Sequence, residues 1–353
     1  MSPIRAMATV TRLDATSADA GAPEPTLEPT TQRFIDALAA AGGPPIYTLT
    51  AEAARKVLSD AQAGPDQGPP ADVEERALPV GPRGWTHVHF VRPRGVEERL
   101  PAVMYFHGGG WVLGGFDTHE RLVREIAHSA RVAVIFVNYG LAPEHQYPVQ
   151  IEEDYAATKY VADHADALNV DATRLAIAGD SVGGNMVAAV SLLAKERAGP
   201  AIAFQLMFYP VTNDAFQRGS YDEFEHGPWL TKAAMKWFWN AYLPNPDKAT
   251  QRNPLVSPLQ ASVEELEGLP PALVITDQND VLRDEGEGLC PQARRGRRRG
   301  HIGPLQRHDP RLRDAERARR DARDPRRHRA GDCGPARRSR VIGPNRQPRR
   351  CRA

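Results

Sequence analysis

The hydrophobic pattern of this chain switches between two periods. Six short runs are rich in β-branched and aromatic residues, which favour β-strands. They lie at residues 86–91, 102–106, 132–138, 175–178, 204–209 and 272–276. The run at 132–137 is apolar without alternation, which is typical of a strand covered on both faces. We therefore expect a sheet that is buried between two layers.

Between these runs, apolar residues recur at helical spacing. The helical segments are 119–130, 151–168, 182–197 and 231–242. Two more segments precede the strands: one contains Phe34, Ile35 and Leu38, and the other extends from Thr50, a suitable N-cap, to about Gln62. Strands that alternate with helices predict an α/β fold with a mostly parallel sheet and helices on both faces.

Length and composition limit the possible classes. The chain of 353 residues is long enough for one large α/β domain with a small appendage, or for two ordinary domains. Residues 1–30 offer little apolar surface, which predicts a disordered lead-in, and we place the domain at residues 31–288. No apolar run approaches the roughly 18 residues of a membrane span, and no secretory signal is evident. All three cysteines lie beyond residue 288 without metal-ligand spacing, so we expect a cytoplasmic protein with no metal site.

The sequence Gly-Asp-Ser-Val-Gly at residues 179–183 joins a predicted strand to a predicted helix. A serine nucleophile at a sharp strand-to-helix turn needs small neighbours, because the backbone there is strained. The helix that begins at Val182 also directs amide N–H groups at the site, where they stabilise an oxyanion. The alternative is a glycine-rich turn with a capping serine, and the context favours Ser181 as the nucleophile.

A second motif, His-Gly-Gly-Gly-Trp at residues 107–111, follows the strand at 102–106. Three glycines allow the backbone to approach a substrate closely and leave N–H donors for an oxyanion hole. A phosphate-binding loop is the alternative, but the Gly-Lys-Ser/Thr of a P-loop and the spacing of a dinucleotide fingerprint are both missing. We interpret His107 as an orienting hydrogen-bond partner rather than a catalytic base.

These two motifs, with Tyr-Gly-Leu-Ala-Pro-Glu-His at residues 139–145, resemble the hormone-sensitive-lipase-like family of esterases and lipases over residues 31–287. The resemblance implies an α/β-hydrolase fold with an N-terminal helical cap at about 31–63. It also implies a small-molecule ester substrate, no cofactor and a homodimer. The oxyanion hole would consist of Gly108, Gly109 and Val182. The family usually has arginine where Gly140 stands, a departure that affects a structural contact rather than the chemistry.

Asp280 lies just beyond the run at 272–276, in a segment that resembles the one whose first aspartate orients the catalytic histidine in the family. A carboxylate at the carboxyl end of a strand is well placed to hold the tautomer and to stabilise an imidazolium. Asp277 and Asp284 are less favoured for that role. The alternative for Asp280 is a turn residue or an N-cap of the next helix.

The residues after 288 follow a different composition. Residues 289–353 hold 22 arginines, no lysine and six acidic residues, so their net charge is +16, whereas residues 1–288 carry −15. They contain no Phe, Tyr or Trp, and their apolar content is too low for the closing strand and helix that the family has. The composition predicts an arginine-rich disordered tail.

This tail is where the family places its catalytic histidine. One hypothesis is a reading-frame slip near Gly288, because a one-base shift turns Ala and Gly codons of a GC-rich gene into Arg and Pro codons. His308 is a disfavoured replacement, because no strand precedes it. Without a histidine the chain would be a non-catalytic scaffold that binds small ligands. The tail also favours non-specific polyanion binding, but it has no aromatic residue for stacking and no recognisable nucleic-acid module.

Overall fold

The protein is described from a computed structural model that covers residues 27–64, 68–217 and 219–295. One sheet of seven strands forms its centre. The strands are β1 (Ala71–Leu78), β2 (Thr86–Pro93), β3 (Leu100–Phe106), β4 (Ala133–Asn138), β5 (Val170–Asp180), β6 (Phe204–Phe208) and β7 (Ala272–Ile275). Their spatial order is β1-β2-β4-β3-β5-β6-β7. β2 is antiparallel to both of its neighbours, and β3 to β7 pair in parallel.

The six predicted strands are all present, and the predicted α/β-hydrolase fold is confirmed. β1 is the strand that the pattern does not predict. Four of its eight residues are charged and most of its side chains are exposed, as suits an edge strand that must not pair with another chain. β4 is the opposite case, since its first five residues are buried.

Helices cover both faces of the sheet. They are α1 (Pro29–Ala41), α2 (Ala51–Gln62), α3 (Phe116–Ala130), α4 (Val149–Asp163), α5 (Val182–Glu196), α6 (Gly219–Glu223), α7 (Lys232–Tyr242), α8 (Lys248–Gln251), α9 (Val263–Leu266) and α10 (Arg283–Arg295). On one face Val123 and Ala127 of α3 pack with Phe136 of β4. On the other face α4 and α5 pack with residues such as Met104 and Ile177 in the larger core. The two-layer covering follows from strands that are apolar on both sides.

The two N-terminal helices begin and end close to the predicted positions. Thr50 caps α2, because its hydroxyl accepts the Ala53 N–H at 3.2 Å. Arg55 connects this helix to the loops that follow β3 and β4, because it donates to the Val112 carbonyl at 2.7 Å and to the Ala142 carbonyl at 2.9 Å. The cap segment is therefore fixed by one guanidinium that satisfies backbone carbonyls of two different loops.

Two predicted boundaries shift in the structure. α1 begins at Pro29, inside the segment predicted to be a disordered lead-in, because the Glu28 carboxylate accepts the N–H of Thr30 at 2.8 Å and caps the helix. α10 continues to Arg295, beyond the predicted domain end at 288, and Leu289 in it is buried. Arginine is a good helix former, so the change of composition does not stop the helix at once. The predictions made for residues 296–353, including His308, lie outside the described residues.

No helix in the described ranges is long and apolar enough to cross a membrane.

Gly140 lies beside an ion pair that joins a turn of the sheet to a helix. Arg83, in the turn between β1 and β2, pairs through Nε and Nη2 with Glu153 of α4. The Glu153 side chain is fully buried, and its carboxylate also accepts the Gly140 N–H at 2.7 Å. A Cβ at Gly140 would lie 3.1 Å from Arg83 Nε and 2.8 Å from the His145 ring. A glycine at 140 therefore leaves space for a guanidinium that comes from another turn.

Candidate active site

Ser181 occupies a strained turn between β5 and α5. Its backbone has φ 55° and ψ −118°, a region that non-glycine residues rarely adopt. The turn is held by neighbours on both sides: Ser181 N–H donates to the Phe208 carbonyl at 2.9 Å, and the Ser181 carbonyl accepts the Val211 N–H at 3.0 Å. The local geometry is that of a nucleophile at a strand-to-helix turn.

The small residues of the motif are required by close backbone contacts. A Cβ on Gly183 would lie 1.9 Å from the Phe106 carbonyl oxygen, and one on Gly179 would lie 2.5 Å from the Gly183 carbonyl. The first turn of α5 therefore lies directly against the carboxyl end of β3. This contact brings the loop after Phe106, which contains the three glycines, beside the nucleophile turn.

The Gly108 amide already has a partner. Its N–H donates to Asp180 Oδ1 at 2.9 Å, and a Cβ at this position would lie 2.1 Å from Asp180 Oδ2. The predicted use of Gly108 as an oxyanion donor therefore conflicts with this hydrogen bond. Among the described residues, the three donors that remain unbonded around this turn are the amides of Gly109, Gly110 and Val182.

Aromatic residues of α7 fix the far end of the glycine loop. Trp111 is fully buried with φ 60°, and its ring stacks on Tyr242 with centroids 4.0 Å apart. A Cβ on Gly110 would lie 2.0 Å from the Phe238 ring, so the loop passes against this helix without room for a side chain. A loop that is held at both ends presents its amides without further ordering, which is what stabilising an oxyanion requires.

His107 is buried and neutral. Burial lowers its pKa to about 3, so the ring carries no charge near neutral pH. Nδ1 donates to the Gly108 carbonyl at 2.7 Å, and the ring stacks on Tyr139 with centroids 4.2 Å apart. This geometry supports the interpretation of His107 as an orienting partner of the loop.

Asp280 follows β7, and Ser181 follows β5. These strands flank β6 and all three run in parallel, so both residues lie at the carboxyl edge of the sheet. Asp280 is partly buried, and its Oδ1 accepts the Leu282 N–H at 3.1 Å. Among the residues that the structure covers, no histidine bonds to its carboxylate. Burial therefore raises the pKa of Asp280 to about 6, and the nearby Asp277 adds to the shift.

Because burial raises the pKa of Asp280, we expect Asp280→Asn to stabilise the fold. Because the folded chain binds a proton at Asp280 that the unfolded chain releases, stability falls as pH rises from about 4 to about 6. Asparagine removes that loss and can still accept the Leu282 N–H. We expect a gain of about 1 to 2 kcal/mol at pH 7, measured by urea unfolding.

The gain should shrink as pH falls from about 6 and approach zero below the ordinary pKa of 3.8, where Asp280 becomes protonated in both states. The buried Glu285, whose pKa burial raises to about 8, stands near Asp280 and should titrate at lower pH in the variant. Glu267→Gln, at an exposed position, serves as control and should leave the unfolding curve unchanged. A loss of stability in Asp280→Asn at pH 7 would show that Asp280 has a cationic partner.

The sequence analysis singled out neither the unbonded amide of Gly110 nor a buried cluster behind the Ser181 turn. The cluster consists of Asp180, Tyr105 and His119. Gly110 and Asp180 both stand inside the two motifs, so the signal existed, but a motif does not tell which amide is already bonded. His119 gives no such signal, because its proximity to Asp180 depends on the packing of α3 against the sheet.

Comparison with known proteins defines the class. A family model described as alpha/beta hydrolase fold matches residues 103–300. The chain is 42% identical to an α/β-hydrolase of Acanthamoeba polyphaga mimivirus, over 75% of this chain and 74% of the relative. It is 37% identical to the carboxylesterase NlhH of Mycobacterium tuberculosis, over 74% of this chain and 81% of the relative. The chain therefore belongs to the α/β-hydrolase fold family.

Solved structures define the type more closely. A thermostable esterase from Pseudomonas putida superposes with a TM-score of 0.73 at 43% identity, and the match covers 79% of this chain and 86% of that one. An esterase from Rhizomucor miehei superposes with a TM-score of 0.74 at 36% identity, over 80% of this chain and 87% of that one. The predicted resemblance to esterases of this fold is confirmed.

Proposed function

We propose that this chain is a carboxylic ester hydrolase that acts by acyl transfer, with Ser181 as the nucleophile. The strained backbone of Ser181, at the turn against β3, carries the proposal. Such strain is retained where the surrounding structure holds it, and a sharp strand-to-helix turn of this kind carries the serine nucleophile in hydrolases of this fold. Support also comes from the family, since related chains are esterases.

The oxyanion hole consists, in this proposal, of the amides of Gly109, Gly110 and Val182. Each of these N–H groups lacks a partner within the described residues, whereas the Gly108 amide is bonded to Asp180. A developing oxyanion gains most from donors that are already oriented and not otherwise engaged. Val182 adds the positive end of α5 to this set.

Asp280 has the orienting role, holding a histidine in the tautomer that accepts the serine proton. Its position beyond β7 supports this role, and so does the absence, among the described residues, of a histidine bonded to its carboxylate. A short acyl chain fits the family best: one relative, 33% identical over 69% of this chain and 76% of its own length, is an ethyl acetate hydrolase of Pseudomonas putida. No step of the acyl transfer requires a metal or an organic cofactor.

The proposal is tested by acylation of the full chain with 4-nitrophenyl acetate. We expect intact-mass analysis to show one acetyl group per chain, and peptide mapping to place it on Ser181. Slow deacylation favours its detection, because a chain with an impaired base holds the acyl group longer. Ser181→Ala is the matched control and should remain unmodified. Equal acetylation of both chains, or acetylation elsewhere, would contradict Ser181 as the nucleophile.

The second candidate is a non-catalytic scaffold that binds small ligands. It is favoured by one observation: no histidine of the described residues is bonded to Asp280. A scaffold would bind a non-hydrolysable ester analogue without becoming acylated, whereas the hydrolase would do both. Calorimetry measures binding of the ester analogue, and the acylation assay is run on the same preparation. The two measurements together separate the two candidates.

A further inference from the structure

Asp180 lies behind the nucleophile turn and joins three segments of the fold. The residue is 7% exposed, and it directly precedes Ser181. Its Oδ1 accepts the Gly108 N–H at 2.9 Å and the Tyr105 hydroxyl at 2.9 Å. His119 Nε2 is 3.5 Å from the same oxygen. One buried carboxylate therefore faces a backbone amide, a phenol and an imidazole.

The imidazole of His119 is fixed by the start of α3. Its Nδ1 lies 2.8 Å from the Thr118 hydroxyl and 3.3 Å from the Gly115 carbonyl. The Thr118 hydroxyl is itself 2.9 Å from that carbonyl; when it donates there, its oxygen accepts from Nδ1. Both ring nitrogens then face acceptors, because Nε2 faces Asp180. This arrangement suits the imidazolium form, in which both nitrogens are donors.

The electrostatics of the pair agree with this arrangement. Burial opposes a charge on His119, but the Asp180 carboxylate raises the pKa of His119 above its ordinary value. Burial likewise opposes ionisation of Asp180, but His119, Tyr105 and the Gly108 amide hold its pKa below the ordinary value. Asp117 on α3 adds to the effect on His119. His107, the other nearby imidazole, is neutral and does not compete for Asp180.

The pair has a direct connection to the proposed oxyanion hole. Through the Gly108 amide, Asp180 sets the start of the loop that continues to Gly109 and Gly110. Because Asp180 directly precedes Ser181 in the chain, its position also fixes the positions of Ser181 and of the Val182 amide, the first of α5. All the proposed donors are therefore positioned relative to one carboxylate. A carboxylate without its histidine would be a buried charge with only neutral partners, and it would lose its orientation.

We propose that His119 is a positioning residue for ester hydrolysis: its buried pair with Asp180 fixes the glycine loop and the nucleophile turn relative to each other. This inference rests on the function proposed above. His119 acts through Asp180 and Gly108, and it touches neither the substrate nor Ser181 in this role. Hydrolysis should depend on the pair through turnover rather than through substrate binding.

The test compares His119→Phe and His119→Gln in the full chain, with 4-nitrophenyl acetate as the substrate. Phenylalanine keeps the ring contacts but has no donor, and we expect kcat to fall about 10- to 100-fold while KM stays within about twofold. Glutamine keeps an N–H donor without the charge, and it should recover part of kcat. His128→Gln is the matched control, because His128 is exposed on the same helix, and it should have no effect.

Titration gives a readout that a merely structural residue would not produce. The kcat of the parent chain should decline at alkaline pH as His119 loses its proton, and His119→Gln should lack that decline. The ¹⁵N-labelled amide resonance of Gly108 should move over the same pH range in the parent and stay fixed in His119→Gln. An unmoved Gly108 resonance in the parent, or an unchanged kcat in His119→Phe, would overturn the inference.

The two proposals fail in distinguishable ways. If Ser181 is not acylated but the Gly108 resonance titrates with His119, the proposed hydrolase function is overturned and the linkage between His119 and Gly108 stands. If Ser181 is acylated but the His119 variants keep the parental kcat and pH profile, the function stands and the positioning role is overturned. Thermal unfolding of each variant identifies any loss of kcat that comes from a loss of fold.

Discussion

Ester hydrolysis is expected to rise by at least about 10³-fold when the residues after Gly288 are replaced by those that the neighbouring reading frame encodes. The turn of Ser181 and the free amides of Gly109 and Gly110 are present in the described residues, and Asp280 lies at the same edge of the sheet. A chain with these parts but without a base keeps only the acceleration that comes from binding and the oxyanion hole. The measurement is kcat/KM for 4-nitrophenyl acetate with both chains, after the gene has been sequenced across this region.

Asp280→Asn is the control that assigns the gain to a histidine. In the chain with the replaced segment, it should lower kcat by about 10³- to 10⁴-fold, because an oriented imidazole loses its carboxylate. In the chain as given, the same substitution should leave hydrolysis nearly unchanged and raise stability. Equal activity of the two parent chains, dependent on Ser181 in both, would show that the chain as given already contains its base and would end the reading-frame hypothesis.

Much of the fold follows from the sequence for a simple physical reason. Strands such as β4 are buried on both faces, so several consecutive residues are apolar. Such a run can be recognised without knowing which elements pack against it. β1 was not predicted because it is an edge strand whose charged residues resemble the sequence of a loop. The end of α10 escapes it too, because arginine is compatible with a helix and with a solvated tail alike.

The candidate site is predictable in its parts but not in its connections. Ser181 and the glycine loop are specified by local backbone needs, which a motif records. Which glycine donates to a substrate depends on Asp180, whose hydrogen bond to Gly108 exists only when β5 lies beside β3. The contact of His119 with Asp180 likewise requires the tertiary structure. The sequence therefore predicts which residues bring chemical groups to the site. It does not predict which of those groups bond to one another and which remain available to a substrate.

Arg83→Met is expected to lower the free energy of unfolding by about 3 to 5 kcal/mol, the largest loss of stability that we predict. Glu153 is fully buried on α4, and besides Arg83 its carboxylate is bonded to the Gly140 amide. Removing the guanidinium leaves a buried charge with one neutral donor, and desolvation is then not compensated. Urea unfolding at neutral pH measures the loss. Arg94→Met is the matched control: Arg94 pairs with Asp72 at 4.0 Å and both side chains are exposed, so we expect a change within about 0.5 kcal/mol.

The double variant Arg83→Met/Glu153→Gln distinguishes a broken pair from a general loss of packing. If the cost of Arg83→Met comes from the stranded carboxylate, neutralising Glu153 should recover more than half of it, because glutamine can still accept the Gly140 N–H. An additive double variant would instead assign the cost to the packing of the arginine stem. Arg83 lies in the turn between β1 and β2, and its partner Glu153 also accepts the N–H of Gly140, which follows β4. Recovery of stability in the double variant would therefore show that the pair of Arg83 and Glu153 joins the β1–β2 hairpin to the segment after β4. The hairpin should then lose its hydrogen-exchange protection first in Arg83→Met.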